Sequence, residues 1–222
     1  MYNKQAQASS KGVLSQKALL EDVRQLVRLL EESHPDPYIN AGGKIAFHRQ
    51  VYEILRKIPE NGMTREVFLK LLRPLVAALQ DGHTTIGGGE SKEESRKLWI
   101  RWDVVEEQLF VSGVYRNEDI PILGQKLIAL EGVPLKELMR RAEQIKGFDN
   151  VYHKLAGLAD LLTRSAALET LLERKIPGNR VCIEFSKEGV KNQAALIPLE
   201  SASSGNIQEP STQIALPELN AA

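Results

Sequence analysis

One histidine has neighbours that suit it for chemistry. His83 lies in the run Asp81-Gly82-His83-Thr84-Thr85-Ile86. Imidazole ordinarily titrates near neutrality, so His83 can take a proton from an attacking hydroxyl and return it to a leaving group. Asp81, two residues earlier, could orient the ring, or could be no more than a solvated carboxylate at a helix end. The run reads equally well as a helix stop, with Gly82 in the left-handed conformation that ends many helices and His83 exposed after it. Thr84 and Thr85 read as strand formers. Base and cap are both open at this level.

A histidine base needs an activated hydroxyl or thiol within hydrogen-bond reach and donors for the oxyanion. No Gly-x-Ser-x-Gly elbow occurs in the 222 residues, and no serine is followed three residues later by lysine. Ser204-Gly205 lies in a polar stretch with no strand-to-helix pattern to hold a nucleophile. Cys182 is the only cysteine, which excludes an intrachain disulfide and a cysteine-based zinc site. In the apolar run Val181-Cys182-Ile183 it reads as a small buried hydrophobe. His34, His48, His83 and His153 have no helical metal-ligand spacing. His34, before a proline, reads as a helix terminator, and His48 and His153 as solvated helix-face residues. The sequence therefore points to no metal and no cofactor.

Composition narrows the partners. Lys+Arg and Asp+Glu balance at 29 each, so no global basic field attracts nucleic acid. The first sixteen residues lack the apolar core of a signal peptide. No stretch approaches the roughly 18 apolar residues of a membrane span. The chain reads as soluble, with its compartment and oligomeric state open; a homo-oligomer is compatible with it.

The elements that must position His83 follow from periodicity. Residues 1–14 are small and polar and read as a disordered arm. From Ser15, Leu19, Val23, Leu26, Val27 and Leu30 share a helix face, and His34-Pro35-Asp36-Pro37 ends it. Gly42-Gly43 opens a second helix with Phe47, Val51, Ile54, Leu55 and Ile58 inward. Thr64 is a good N-cap for a third, in which Pro74 should kink or break the helix unless packing overrides it. Beyond the charged stretch 90–96 the pattern turns to strand. The runs 98–105 and 108–115 flank Glu106-Glu107 as a hairpin. Residues 126–130 form a short strand, and Pro134 suits the first position of a helix carrying Leu135, Leu138, Met139, Ala142 and Ile145. Asn150 caps a further helical run, 181–186 and 193–199 read as two strands, and 201–222 reads as a linker or tail. Trp99 and Trp102, three apart in a strand, should face opposite sides, one in the core and one at a domain junction.

Two stretches resemble one family. Glu21-Asp22, the helix face to Leu30, His34-Pro35, Tyr38 and Asp81-Gly82-His83-Thr84 look like the N-terminal helical domain of the tail-specific and tricorn-type serine peptidases. The run from Ile122-Leu123-Gly124-Gln125 through Glu131-Gly132-Val133-Pro134-Leu135 resembles a PDZ strand, turn and helix start. The two occur in the family's order and cover about residues 19–200. The resemblance implies an α+β fold: a three-helix bundle over 15–90, then a PDZ-like domain over 97–200 with the helical run 150–175 inserted. It implies peptide or protein substrates and a peptide site at Leu123 and Gly124, although the Gly-Leu-Gly-Phe type loop of PDZ domains is absent. In tricorn-like members the histidine matching His83 is the catalytic base. Other members use a serine–lysine pair, which would make His83 structural. The family's nucleophile lies in a domain after the PDZ-like part, so this chain alone is expected to be inactive. A stand-alone peptide-binding or interaction module is the alternative.

Overall fold

The computed structural model describes residues 12–87, 96–186, 193–201 and 212–213. It is a mixed α+β structure in two compact units. One comprises Met1–Ser91 with Glu143–Asp149, the other Lys92–Ala142 with Asn150–Ala222. A contiguous 97–200 domain is therefore interrupted, because seven residues after the fourth helix belong with the first unit.

In the first unit, α1 (Gln16–Ser33) begins where the Ser15 hydroxyl accepts the Ala18 amide at 3.4 Å. α2 (Lys44–Lys57) follows Gly42 and Gly43, both at positive φ. α3 (Arg65–Ala77) is capped by the Thr64 hydroxyl, which accepts the Val67 amide. All three bury one face into a common core of Leu19, Val23, Phe47, Ile54, Phe68 and Leu75 among others, with Tyr38 edge-on to Phe47. Pro74 does not end α3, which continues to Ala77, and the Ala78 amide bonds the Pro74 carbonyl at 3.0 Å. A helix-interior proline costs about 3 kcal/mol. Burying Phe68, Leu72, Leu75 and Val76 returns about 1.5–3 kcal/mol for each side chain. Packing wins.

Val13–Leu14, read from the sequence as part of a disordered arm, is a short strand, β1, antiparallel to β2 (Met63–Thr64). Gly62 makes the pairing fit. It sits at φ +74, and a Cβ there would lie 1.9 Å from the Leu14 carbonyl oxygen.

The second unit is built on antiparallel pairings. β3 (Arg96–Leu98) and β4 (Ile100–Val105) are separated only by Trp99, and β4 turns back into β5 (Gln108–Val114). Glu106 and Glu107 both adopt positive φ, as the tight hairpin turn requires. β6 (Lys126–Leu130) pairs with β5 and with β8 (Arg180–Ser186), β8 pairs with β9 (Gln193–Ser201), and β9 pairs with β3. With β3 running almost directly into β4, the path of pairings closes on itself. Trp102 stacks on Phe185 inside, while Trp99 packs against Tyr115, so the two indoles do lie in different surroundings.

Three helices cover this sheet: α4 (Leu135–Ala142), α5 (Val151–Leu162, capped by Asn150) and α6 (Ser165–Leu172). Leu138, Leu155, Leu158, Leu168, Ile183 and Phe185 are fully buried. Pro134 is not the first helical residue. It pairs with Ala129 as part of β7 (Val133–Pro134), one step before α4. α4 stops at Ala142, so Ile145 lies past its end. Nor is all of 201–222 a tail, since Thr212–Gln213 forms β10 against Val114 and Gly113. β5 meets β6 only at Phe110 and Lys126, which leaves amides further along β5 for another strand. Among the described residues no helix is long and apolar enough to cross a membrane.

Gly62→Ala should lower folding stability by at least about 2 kcal/mol in urea unfolding, because it adds a backbone clash to an unfavourable φ. Gly132→Ala has a similar φ, +76, but open space around it. It should cost only about 1 kcal/mol. Equal effects would show that the close approach to Leu14 contributes nothing.

Candidate functional site

His83 follows the end of α3, and the way that helix stops determines where the imidazole goes. The last turn tightens, with the Leu79 amide bonding the Val76 carbonyl at 3.2 Å and the Gln80 amide bonding the Ala77 carbonyl at 3.0 Å. The left-handed residue is Gln80, at φ 50, and not Gly82. Gln80 tolerates that conformation with its side-chain amide on the Ala77 carbonyl at 2.9 Å. From across the unit, the Asn40 side chain donates to the Leu79 carbonyl at 3.0 Å.

Asp81 then folds the chain around its own carboxylate. Oδ1 accepts the His83 backbone amide at 2.9 Å, and Oδ2 accepts the Thr84 hydroxyl. This is an Asx-type turn. The carboxylate also stands between two imidazoles. His34 Nε2 is 3.6 Å from Oδ2, and His83 Nδ1 is 3.5 Å from Oδ1. The Thr84 hydroxyl and then the His83 amide hold the Asp81 pKa below the usual carboxylate value. Partial burial opposes them, and the two imidazoles add to the lowering. Asp81 is therefore more than a solvated helix-end carboxylate.

The two histidines differ. The His34 side chain is 14% exposed, and its Nδ1 accepts the Asp36 amide at 3.2 Å. That bond leaves the proton of the neutral ring on Nε2, facing Asp81. His34 thus ends α1 and also reaches the Asp81 turn. The His83 ring is 92% exposed. Its Nδ1 side faces Asp81, which leaves Nε2 for solvent or a reacting group.

The returning segment Glu143–Asp149 braces the turn from behind. Asp149 Oδ1 accepts the Gly82 amide at 3.0 Å. Gly147 lies so close that a Cβ there would be 2.8 Å from both the amide nitrogen and the carbonyl oxygen of Asp81. Asp81, His83 and Asp149 offer potential ligand atoms all within 4.8 Å of one another. No spacing in the sequence foretold this trio, because its third member comes from a distant segment.

The remaining candidates are placed as follows. His48 Nε2 lies 3.2 Å from Glu31, whose same oxygen accepts the Tyr38 hydroxyl, in a cluster tying α1 to α2. His153 lies on α5, near its start. Leu123 and Gly124 belong to the second unit. Gly124, at φ +76, donates its amide to the Val111 carbonyl at 2.8 Å, and the Val111 amide bonds the Gln125 carbonyl at 2.9 Å. The Gly124 amide is thus engaged within the fold and is not left to hold a peptide carboxylate. Leu123 beside it is half-buried.

No protein-family model matches this chain, and no curated protein sequence matches it. Solved structures do. A serine-to-alanine mutant of CPAF, a Chlamydia serine protease with a tail-specific-protease-like fold, superposes with a TM-score of 0.59 at 15% identity. That match covers 84% of this chain and 34% of that one. Mature CPAF gives 0.58 at 12% identity over 92% and 38% of the two chains. Mature CPAF complexed with lactacystin gives 0.52 at 14% over 84% and 35%. The chain spans about a third of the length of these structures, and the likeness is one of fold.

The lowered pKa makes the Asp81 turn pH-sensitive in a defined direction. A carboxylate whose folded pKa lies below its unfolded value, about 3.9, contributes stability above that value. The contribution is lost as pH falls through the folded pKa. Asp81→Ala should cost about 2 kcal/mol at pH 7, the scale of hydrogen bonds to a charged acceptor. Urea unfolding of both proteins should show the gap narrowing below about pH 4. A gap as wide at pH 3 as at pH 7 would assign the loss to packing.

Proposed function

We propose that this chain is the front portion of a tail-specific or tricorn-type serine peptidase, with His83 as the catalytic base and the second unit as a PDZ-like peptide-positioning domain. The observation that carries this reading is the placement of the Asp81 carboxylate on the Nδ1 side of an otherwise open His83 ring. A carboxylate on that side favours the neutral tautomer with its proton on Nδ1. Nε2 is then the basic atom, and the carboxylate stabilises the imidazolium that forms when it takes a proton. The fold likeness to CPAF supports the assignment to a protease-related module. On this reading the nucleophilic hydroxyl lies beyond these 222 residues, which contain neither a Gly-x-Ser-x-Gly nor a Ser-x-x-Lys pattern.

For the second unit, peptide capture by strand addition suits the strand arrangement. Among the described strands β4 pairs only with β5, and an extended peptide would add along its other side. Affinity would come from backbone pairing along β4, and not from a carboxylate held by the Gly124 amide, which the Val111 carbonyl accepts. The exposure of His83 favours a second reading, a peptide-binding module that does no chemistry.

Kinetics separate the two. In a chain joining these residues to the nucleophile, His83→Ala should lower kcat about a millionfold and leave peptide affinity unchanged. The 222-residue chain by itself should not label with a fluorophosphonate. Turnover that survives His83→Ala would remove the base assignment, and stoichiometric labelling of a serine within these residues would relocate the nucleophile.

A further inference from the structure

The geometry points to a divalent transition-metal site at the end of α3, formed by His83, Asp81 and Asp149. The distances fit such an ion. Ligand atoms bonded at about 2.1 Å to one tetrahedral ion stand about 3.4 Å apart, and His83 Nδ1 and Asp81 Oδ1 are 3.5 Å apart. One ligand atom from each of His83, Asp81 and Asp149 lies within 4.8 Å of the other two.

The residues around the trio hold the carboxylates as a metal site requires. Asp81 Oδ2 is fixed by the Thr84 hydroxyl and faces the Nε2 proton of His34, which in turn is set by the Asp36 amide. Asp149 is held by the Gly82 amide, and the close approach of Gly147 sets the spacing of the two backbones. Ligating carboxylates hydrogen-bonded in this manner are a regular feature of protein metal sites. Each carboxylate oxygen has more than one lone pair, so these bonds do not use up its capacity.

One imidazole and two carboxylates suit zinc and its first-row neighbours better than magnesium or calcium, which prefer oxygen alone. Three protein ligands leave a fourth position open on the exposed side. The ion would displace the Nδ1 proton of His83. An ion there would therefore hold the histidine silent wherever it serves as a base; that consequence rests on the peptidase reading, whereas the site does not.

Calorimetric titration of the 222-residue chain with zinc chloride, in a buffer free of chelators, tests the site directly. One ion should bind per chain. His83→Ala and Asp149→Asn should each weaken binding at least about tenfold, and His48→Ala, away from the trio, should leave it unchanged. Asp149→Asn retains an oxygen for the Gly82 amide, so its effect is separable from loss of the fold. The site is refuted by absence of binding, by binding that survives His83→Ala, or by an equal loss in His48→Ala, which would indicate adventitious surface histidines.

Discussion

The Asp81 carboxylate is the constraint on which the turn after α3 depends. A helix end leaves carbonyls and a chain direction unresolved. Here Gln80 takes the left-handed turn, and Asp81 gathers the next three residues by accepting from the His83 amide and the Thr84 hydroxyl. The Nδ1 side of the His83 ring faces the same carboxylate at 3.5 Å. His83 cannot leave the neighbourhood of Asp81 without giving up a charge-assisted bond worth about 1.5–3 kcal/mol. His34 and Asp149 approach the same turn from elsewhere in the sequence.

The return of Glu143–Asp149 gives this arrangement its rigidity. An Asx turn at a helix end is ordinarily an exposed, frayed feature. Gly147 removes a side chain where one would strike the Asp81 backbone, and Asp149 supplies an acceptor to an amide that would otherwise point at water. The segment acts on the turn by backbone contact and a carboxylate, and it buries Phe148 beside them. A carboxylate in such a setting serves equally to orient a base or to ligate an ion. Both readings use the same atom, His83 Nδ1.

Most of the helical architecture was legible in the sequence because its signals are local. The first helix starts at Ser15 as its periodicity indicates, Thr64 and Asn150 cap the helices expected of them, and the Glu106-Glu107 hairpin forms where its flanking runs place it. The misses are non-local or involve competition. Gly82 was the natural left-handed residue, yet Gln80 takes that role because its side chain can bond Ala77. β1 and β10 are two-residue strands whose pairing depends on a partner edge that periodicity does not show. The Gly124 amide closes the β5–β6 connection, a pairing that residue type alone does not show. At the candidate site, the Asp81-Gly82-His83-Thr84 run stood out by residue type and neighbours. Gly147 and Asp149 carried no recognisable motif, and His34 looked like a simple helix stop, because only the tertiary fold brings them to Asp81.

The tautomer of His83 decides whether the Asp81 carboxylate orients the ring. Long-range proton–nitrogen correlation spectra on the 15N-labelled chain, at a pH where the ring is neutral, assign the protonated nitrogen of each histidine. With the Asp81 carboxylate on its Nδ1 side, neutral His83 should carry its proton on Nδ1, opposite to His34, whose Nδ1 accepts the Asp36 amide and whose proton should be on Nε2. Asp81→Ala should abolish the His83 preference. A neutral His83 protonated on Nε2, indifferent to the loss of Asp81, would contradict the account, because the carboxylate would then orient nothing.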